Sequence, residues 1–301
     1  MGKLLIVLFL LPCIGVFCQN SKNAVASFYR LEGLHMPDAG TTIDADAQRF
    51  FDSAGITDAT QKQAVNRLVL DLKGVTNSDY YTANVWLKLK GIYPLVGGSA
   101  YMHQWNLKNP VNADTAYRLT FYGTLTMDAN GVTGNNGGYA DTHYIADSIP
   151  AANQFSMGEY VRSATTTGNF NCGYYNSGGS GNFVTFLNNG TSLQAVYLAA
   201  SYGPASSGYG PAILSWDGTN AYFACLSELS GARTPNSSAQ LNGMGDLTFL
   251  GYRSNSYWGE NYSYGNFSFF FFGNYLTQAE MLAVSNAISR CQVTLGRSVN
   301  F

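Results

Sequence analysis

The chain has 301 residues, of which 11% are charged, and its formal net charge at pH 7 is −2. Charged residues make up about 25% of an average globular protein, so this chain lacks the basic surface that attracts nucleic acid or anionic lipid. The composition therefore predicts no nucleic-acid partner and no charge-driven membrane binding.

The first 18 residues have the pattern of a secretory signal peptide. Lys3 supplies the positive charge, residues 4–17 are apolar, and Cys18 precedes the predicted cleavage point. The apolar segment is shorter than the roughly 20 residues of a membrane-spanning helix. We therefore predict a secreted, extracellular or surface-displayed protein with no stable membrane span after cleavage. A short N-terminal anchor is the alternative.

Residues 19–43 are predicted to form an extended leader, and residues 44–90 a small helical element. In this element Asp58 begins the clearest helix as its N-terminal cap, and Gly74 ends it. The apolar face of that helix repeats at helical spacing and consists of Val65, Leu68, Val69 and Leu72. A second short helix is predicted over residues 79–90.

From residue 91 onward, short β-prone runs alternate with turns of Gly, Asn and Ser at intervals of about ten residues, as in an antiparallel sandwich or barrel. Strands are predicted at residues 117–127 and near 154–162, 169–175, 182–188, 192–199, 211–216, 220–227, 246–252 and 266–272. The apolar residues that would share one face of the first strand are Leu119, Phe121, Leu125 and Met127. Gly131 is free to adopt the positive φ of the turn that follows.

Four consecutive phenylalanines, Phe269–Phe272, lie in the last predicted strand. Side chains alternate along a strand, so two rings would lie on each side of the sheet. Because a second sheet covers only one side, helices must cover the other. The candidates are the helix before Gly74 and a C-terminal helix over residues 278–296, which Thr277 and Glu280 would cap.

These patterns predict a mainly β fold over residues 91–301. We expect a two-sheet antiparallel jelly-roll sandwich of the concanavalin A type, with a small N-terminal helical element and a C-terminal helix.

Several motifs that occur in one order along the chain carry a family resemblance. They are ITDATQKQAVNRLVLDLKG, LKGIYPLVGG, HQWNLKNP, LTFYGT, NGGYADTHY and GNYLTQAEMLAVSNAISRCQVTLGR. Over most of residues 56–297 the chain resembles laminin-G-like, concanavalin A-type jelly-roll proteins, which are met in phage tails and virions and among secreted proteins of Bacteroidetes-like bacteria. The resemblance implies the same sandwich and no catalytic set. Because virion proteins do not normally carry a secretory signal, residues 1–18 favour a secreted or surface protein.

Glycoside hydrolysis needs two carboxylates, about 5.5 Å apart for retention or about 6.5–9.5 Å apart for inversion. Acids on one strand meet this condition at i and i+2 or i+4. None of the five glutamates has such an acidic partner; they are Glu32, Glu159, Glu228, Glu260 and Glu280. Acids on different strands can still meet. The sequence also lacks a Gly-x-Ser-x-Gly elbow and a phosphate-binding loop. We therefore predict that the chain is not an enzyme, and glycoside hydrolase is the less favoured alternative.

Two stretches, residues 201–222 and 251–266, are rich in Tyr, Ser, Gly and Asn, which is the composition of recognition loops. Sugar rings stack on Trp and Tyr, and their hydroxyls pair with Asn and Glu. The first candidate ligand-binding cluster is Trp258, Tyr257, Glu260 and Asn261. The second is Trp216, Asp217, Asn220 and Tyr222. The alternative is that these residues form a plain hairpin turn and an ordinary sheet surface.

Calcium is the one cofactor that the sequence suggests, because jelly rolls of this type often hold it with loop carboxylates and carbonyls. The candidate ligands are Asp128, Asn130 and Asp141, although Asp and Asn also stabilise turns without a metal. Zinc is not predicted, since the three histidines, His35, His103 and His143, show no paired ligand spacing.

Three cysteines remain after the predicted cleavage: Cys172, Cys225 and Cys291. They could form one bridge or remain buried thiols, and the sequence does not decide between these.

The sequence therefore predicts a secreted or surface-displayed binding module that recognises carbohydrate or another cell-surface ligand through loops of the sandwich. The alternative is a structural or assembly protein of a virion, tail fibre or cell envelope, whose partners would be neighbouring proteins.

Overall fold

The structure, a computed structural model, describes residues 42–74, 84–135, 137–145, 154–163, 169–175, 183–188, 193–197, 200–202, 209–225, 228–229, 232, 234, 246–253 and 258–299. For the described residues within 169–170, 174–202, 228 and 251–262, the structure describes the backbone and not the side chains. The predicted signal peptide and nearly all of the predicted leader lie outside the described residues.

Two helices precede the sheets. Helix α1 (Ala45–Ala54) begins after Asp44, whose side chain accepts a hydrogen bond from a backbone N–H of the first turn. Helix α2 (Ala59–Leu72) begins after Asp58, whose Oδ1 accepts from the Gln61 N–H at 2.8 Å, and Gly74 follows its end with φ 69°. The predicted start and end of this helix are therefore correct.

The strands are as follows in chain order. They are β1 (Leu89–Tyr93), β2 (Thr120–Tyr122), β3 (Leu125–Asp128), β4 (Gly131–Gly134), β5 (Tyr139–Ile145), β6 (Phe155–Ser163), β7 (Asn169–Tyr175), β8 (Phe183–Asn188), β9 (Leu193–Tyr197), β10 (Ala200–Tyr202), β11 (Gly210–Trp216), β12 (Ala221–Cys225), β13 (Glu228–Leu229), β14 (Asp246–Phe249), β15 (Gly251–Arg253), β16 (Trp258–Tyr262) and β17 (Asn266–Gly273). A one-turn helix, α3 (Ala100–His103), follows β1, and α4 (Gln278–Thr294) follows β17.

Two antiparallel sheets form the sandwich. The first has the order β13-β12-β11-β6-β17-β4-β3, and β1 also pairs with β17. The second has the order β10-β9-β8-β7-β14-β5-β2, and β15 and β16 form a separate two-stranded sheet. The predicted two-sheet antiparallel sandwich with N-terminal helices and a C-terminal helix is confirmed. All of these elements belong to one compact unit, residues 43–301.

Two predicted strands are each divided between sheets. The run 117–127 breaks at Gly123 into β2, in the second sheet, and β3, in the first. Gly123 has φ 69°, and a Cβ there would lie 2.7 Å from the carbonyl carbon of Gly137, so the crossing requires glycine. The run 246–252 breaks at Leu250, which has φ 69°. The other predicted strands are observed, and the bounds differ by at most two residues.

The alternation predicted for residues 117–127 holds across the break. All four apolar side chains belong to or pack against the core between the sheets, and they are Leu119, Phe121, Leu125 and Met127. The hairpin between β3 and β4 also follows the prediction, with Gly131 at φ 125°.

The helix predicted over residues 79–90 is wrong where the structure describes it. Val85–Leu87 form a single 3₁₀ turn, and β1 starts at Leu89. Pairing with β17 explains the difference, because β1 donates and accepts the backbone hydrogen bonds of that edge, and a helix would leave them unmade.

Strand β17 is buried along its whole length. Phe270 and Phe272 lie in the core between the two sheets, whereas Phe269 and Phe271 lie in a second core between the first sheet and the helices. The second core includes the apolar faces of α1, α2 and α4. The prediction that helices cover the outer side of this strand is therefore confirmed.

Helix α4 is fixed at its start and along its length. Thr277 and Glu280 form the predicted capping box, and the Glu280 carboxylate accepts from Lys88 Nζ at 2.6 Å. Arg290 Nε of α4 lies 3.0 Å from the buried carboxylate of Asp71 in α2. Because this ion pair and the shared core join α2 to α4, the helices form one layer on the first sheet.

Arg297, just after α4, is 2% exposed. Its guanidinium donates to four backbone carbonyls, those of Pro94, Leu95, Ala129 and Ser268, at 3.0 to 3.4 Å. Burial lowers the pKa of Arg297 to about 10. The side chain therefore joins the loop after β1, the β3–β4 turn and β17.

We expect Gly91→Ala to destabilise the protein by about 1–3 kcal/mol, the usual cost of overpacking a core. A Cβ at Gly91 would lie 2.6 Å from Cζ of Phe272. Urea unfolding measures the loss.

The double variant Gly91→Ala/Phe272→Leu should lose less stability than the sum of the two single variants, because the smaller side chain makes room for the added methyl group. Additive losses would contradict this packing of Phe272 over Gly91.

Candidate functional site

The turn between β11 and β12 is organised by Asp217. Its Oδ1 accepts from the backbone N–H groups of Thr219 and Asn220, each at 2.7 Å, and its Oδ2 accepts from the Tyr222 hydroxyl at 3.0 Å. Partial burial raises the pKa of Asp217, but these hydrogen bonds outweigh it and lower the pKa below its ordinary value. Asp217 is therefore held as a carboxylate on a rigid turn.

Two half-buried tyrosine rings lie beside this carboxylate. Tyr222 of β12 and Tyr275, just before α4, have ring centroids 6.3 Å apart with an interplanar angle of 47°. Lys88 Nζ lies 5.8 Å from the centroid of the Tyr275 ring. We call the group Asp217, Asn220, Tyr222 and Tyr275 the tyrosine surface. It offers aromatic faces, a carboxylate and an amide within one partly exposed region.

The structure divides the second sequence-predicted cluster between the surface and the core. Asp217, Asn220 and Tyr222 belong to the tyrosine surface, and Asn220 Oδ1 accepts from Thr234 Oγ1 at 3.0 Å. Trp216 is 6% exposed and packs in the core between the sheets. Side chains alternate along β11, so Trp216 points inward while the turn that follows reaches the surface.

The first sequence-predicted cluster lies on a different hairpin, formed by β15 and β16. Trp258, Glu260 and Asn261 lie on β16, of which the backbone alone is described, and Trp258 pairs with Arg253 of β15. Tyr257 lies outside the described residues. The ligand-binding role of this cluster stays a prediction.

Only one of the three candidate calcium ligands lies in a group of metal-ligating side chains among the described residues. Asp128 and Asn130 are exposed on the β3–β4 turn, where Asp128 Oδ1 accepts from the Asn130 N–H at 2.7 Å. Asp141, on β5, instead lies with His143 and Asp246, and one potential ligand atom from each lies within 4.8 Å of the others. We call these three residues the Asp–His–Asp cluster.

Sequence reasoning missed His143 and Asp246. The i, i+2 spacing of Asp141 and His143 places both on one face of a strand and was a usable signal. The sequence around Asp246 does not indicate that this residue belongs to the cluster, because only the pairing of β14 with β5 brings it close to Asp141. Tyr275 was also missed, since it precedes a helix and lies far from the β11–β12 turn in sequence.

Glu159 is a buried acid on the inner face of β6. Asn171 Nδ2 of β7 donates to its Oε1 at 2.6 Å, and Oε2 has no hydrogen-bond partner within the described part of the chain. Burial raises the pKa of Glu159 to about 8, against the opposing effect of hydrogen bonds from Asn171 and Cys172. Glu159 is therefore protonated at neutral pH and belongs to the core.

The three predicted thiols, Cys172, Cys225 and Cys291, are buried and form no disulfide bond among the described residues. Burial raises the pKa of Cys291 to about 12.

None of the helices in the described ranges has both the length and the apolar character that crossing a bilayer demands.

Solved structures of the Trypanosoma rangeli sialidase are similar to this chain. Its covalent intermediate with 2,3-difluorosialic acid matches with a TM-score of 0.52 and 14% identity, over 81% of this chain and 39% of that chain. Its complex with sialic acid gives a TM-score of 0.51 and 11% identity over 76% and 38%. A mutant displaying trans-sialidase activity gives 0.52 and 14% over 83% and 40%. At these identities the likeness is one of fold, and the chain spans about two fifths of the length of these sialidases.

No protein-family model matches the sequence, and no curated protein matches it. The comparisons support the sandwich that the family resemblance implied. The laminin-G-like and phage groups themselves stay a prediction.

The prediction that the chain is not an enzyme is overturned, because chains that share its fold are sialidases. That prediction depended on a search for acids spaced along one strand. The structure brings carboxylates of Asp141 and Asp246 within 4.8 Å of each other from two different strands. A pair formed by sheet pairing is invisible to a search along one strand.

The buried Glu159 predicts a pH dependence of stability. The folded protein holds a proton on this carboxyl up to about pH 8, whereas the unfolded chain releases it near the ordinary value of 4.5. The stability that Glu159 contributes is therefore fully present below about pH 4.5 and is lost as the pH rises toward 8, with a limiting slope of about 1.4 kcal/mol per pH unit. Burial lowers the pKa of His103 to about 4, which adds an opposite slope below about pH 6.5. Glu159→Gln should therefore abolish the fall that urea unfolding measures between pH 6.5 and 8.

Glu280→Gln is the matched control. Partial burial raises the pKa of Glu280, but Lys88 and the capping bonds of Thr277 outweigh it and lower the pKa, so its titration lies below this window. The control should keep the slope of the unmodified protein. An unchanged slope in Glu159→Gln would contradict the assignment.

Proposed function

We propose that this chain recognises carbohydrate through the tyrosine surface. The observation that carries the proposal is the pair of half-buried rings, Tyr222 and Tyr275, 6.3 Å apart beside the carboxylate of Asp217. Tyrosine rings give rigid apolar faces that stack on the C–H faces of a sugar, at a small cost in side-chain entropy. A carboxylate and an amide beside them pair with hydroxyl groups.

Rigidity of the surface supports this function. Asp217 is fixed by two backbone N–H groups and a tyrosine hydroxyl, and Tyr275 lies two residues before the cap of α4. Groups that are already ordered lose little conformational entropy when a ligand binds. The tyrosine surface therefore needs no rearrangement to present its rings and its carboxylate together.

The shared fold gives independent support. The Trypanosoma rangeli sialidase is complexed with sialic acid in one of the similar structures, so the same sandwich occurs in a protein of carbohydrate chemistry. Secretion, which the signal-peptide pattern of residues 1–18 predicts, would bring the chain to extracellular glycans. Trp258, Tyr257, Glu260 and Asn261 form a second predicted contact region of the same proposal.

A glycan array with purified residues 19–301 tests the proposal. We expect selective binding that Tyr275→Ala weakens about tenfold, which corresponds to about 1.4 kcal/mol and to the loss of one stacking ring. Tyr222→Phe keeps the ring and loses the hydrogen bond to Asp217, so its loss should be smaller. Trp258→Ala tests the second region.

Tyr264→Ala is the control, because Tyr264 is 44% exposed and does not belong to the tyrosine surface. If Tyr275→Ala and Tyr264→Ala bind the glycan equally well, the ligand does not bind at the tyrosine surface. A blank array from folded protein would contradict carbohydrate recognition and favour an assembly role with protein partners. Release of free sugar from a bound glycan would show that the chain also hydrolyses its ligand.

A further inference from the structure

The Asp–His–Asp cluster is built across two paired strands of the second sheet. Asp141 and His143 lie on β5, and Asp246 begins β14. The pairing of these strands shifts register between Asp246 and Thr248, so β5 contributes extra residues around His143. His143 has φ 57°. The irregularity brings together an imidazole and two carboxylates that a regular ladder would space differently.

The two imidazole nitrogens of His143 have different neighbours. Nε2 lies 2.7 Å from Thr120 Oγ1 and 3.5 Å from Asp114 Oδ1. Nδ1 lies 4.0 Å from Asp141 Oδ1, which is too long for a hydrogen bond. Two ligands of one tetrahedral ion, each at about 2.1 Å, lie about 3.4 Å apart. Binding a cation between Nδ1 and Oδ1 would therefore close their gap by about half an ångström, while Oδ1 keeps the hydrogen bond that it accepts from the His143 backbone N–H at 2.8 Å.

The outer partners of His143 are those that a metal-ligating histidine has. Such a histidine bonds through its second nitrogen to a carboxylate, a backbone carbonyl or water, which fixes the ring orientation. Here Thr120 and Asp114 occupy that position, and Arg118 Nη2 in turn holds Asp114 Oδ1 at 2.8 Å. This chain of contacts orients Nδ1 toward Asp141.

We propose that Asp141, His143 and Asp246 bind a divalent transition-metal ion of the Zn²⁺ type. One imidazole nitrogen and two carboxylate oxygens match the donors that Zn²⁺ accepts, whereas Ca²⁺ and Mg²⁺ take oxygen ligands. Two carboxylates neutralise the charge of the ion. Asp141 is buried, and the other two residues are half-buried and therefore partly accessible to an ion from solvent. The site is separate from the tyrosine surface and does not depend on the proposed function.

Isothermal titration of the chelator-treated protein with ZnCl₂, MnCl₂ and CaCl₂ tests the proposal. We expect one equivalent of Zn²⁺ to bind, and Asp246→Asn and His143→Asn each to weaken it at least tenfold. Asparagine suits both positions, because it matches the shape of Asp246 and tolerates the left-handed backbone of His143. Asp128→Asn, on the β3–β4 turn, is the matched control and should bind as the unmodified protein does.

A second measurement needs no variant. Co²⁺ bound by an imidazole and two carboxylates should give visible d–d absorption bands that Zn²⁺ abolishes. Zn²⁺ should also raise the unfolding temperature, since it binds the folded chain. Absence of saturable Zn²⁺ binding, a response to Ca²⁺ alone, or equal affinities of Asp246→Asn, His143→Asn and Asp128→Asn would overturn the proposal.

Discussion

Burial of β17 on both of its faces is the constraint on which the other layers of this protein depend. Phe270 and Phe272 fill the core between the sheets, and Phe269 and Phe271 face the helices. Burying one phenylalanine side chain contributes about 1.5–3 kcal/mol, so the strand is stable only where apolar partners cover both sides. The second sheet supplies one cover, and α1, α2 and α4 supply the other. The glycines at Gly91 and Gly158 leave room for two of the rings.

The same strand is tied to the chain terminus by a buried cation. Arg297 donates to the Ser268 carbonyl of β17 and to three carbonyls of neighbouring turns, and it has no carboxylate partner among the residues that the structure describes. A buried charge is costly unless dipoles compensate it, and here backbone carbonyls do so. Because α4 ends just before Arg297, this contact fixes the end of the helix, whereas the capping box at Thr277 fixes its start. Helix and sandwich therefore form one structural unit.

Each of the two candidate sites lies where the sandwich is interrupted by a turn or by a shift in strand register. The tyrosine surface forms where a tight turn meets the start of α4, and the Asp–His–Asp cluster forms where β5 and β14 lose register. Trp216, on the regular strand β11, is instead directed into the core between the sheets. Turns and bulges redirect polar groups toward each other at the surface, which is where binding chemistry becomes available. Glu159, on a regular strand, is by contrast retained as a protonated core residue.

The sequence by itself determined the local features of this protein. Alternation and capping residues predicted most strands, the ends of α2, the capping box of α4 and the need to cover both sides of the phenylalanine run, because these depend on residues a few positions apart. The same information identified Asp217, Asn220 and Tyr222, which share one turn. Only the tertiary structure decided which sheet each strand joins, that Gly123 and Leu250 divide predicted strands, and that Trp216 lies inside. It also decided that Tyr275 meets Tyr222 and that Asp246 meets Asp141, since packing and strand pairing between segments distant in sequence leave no local pattern.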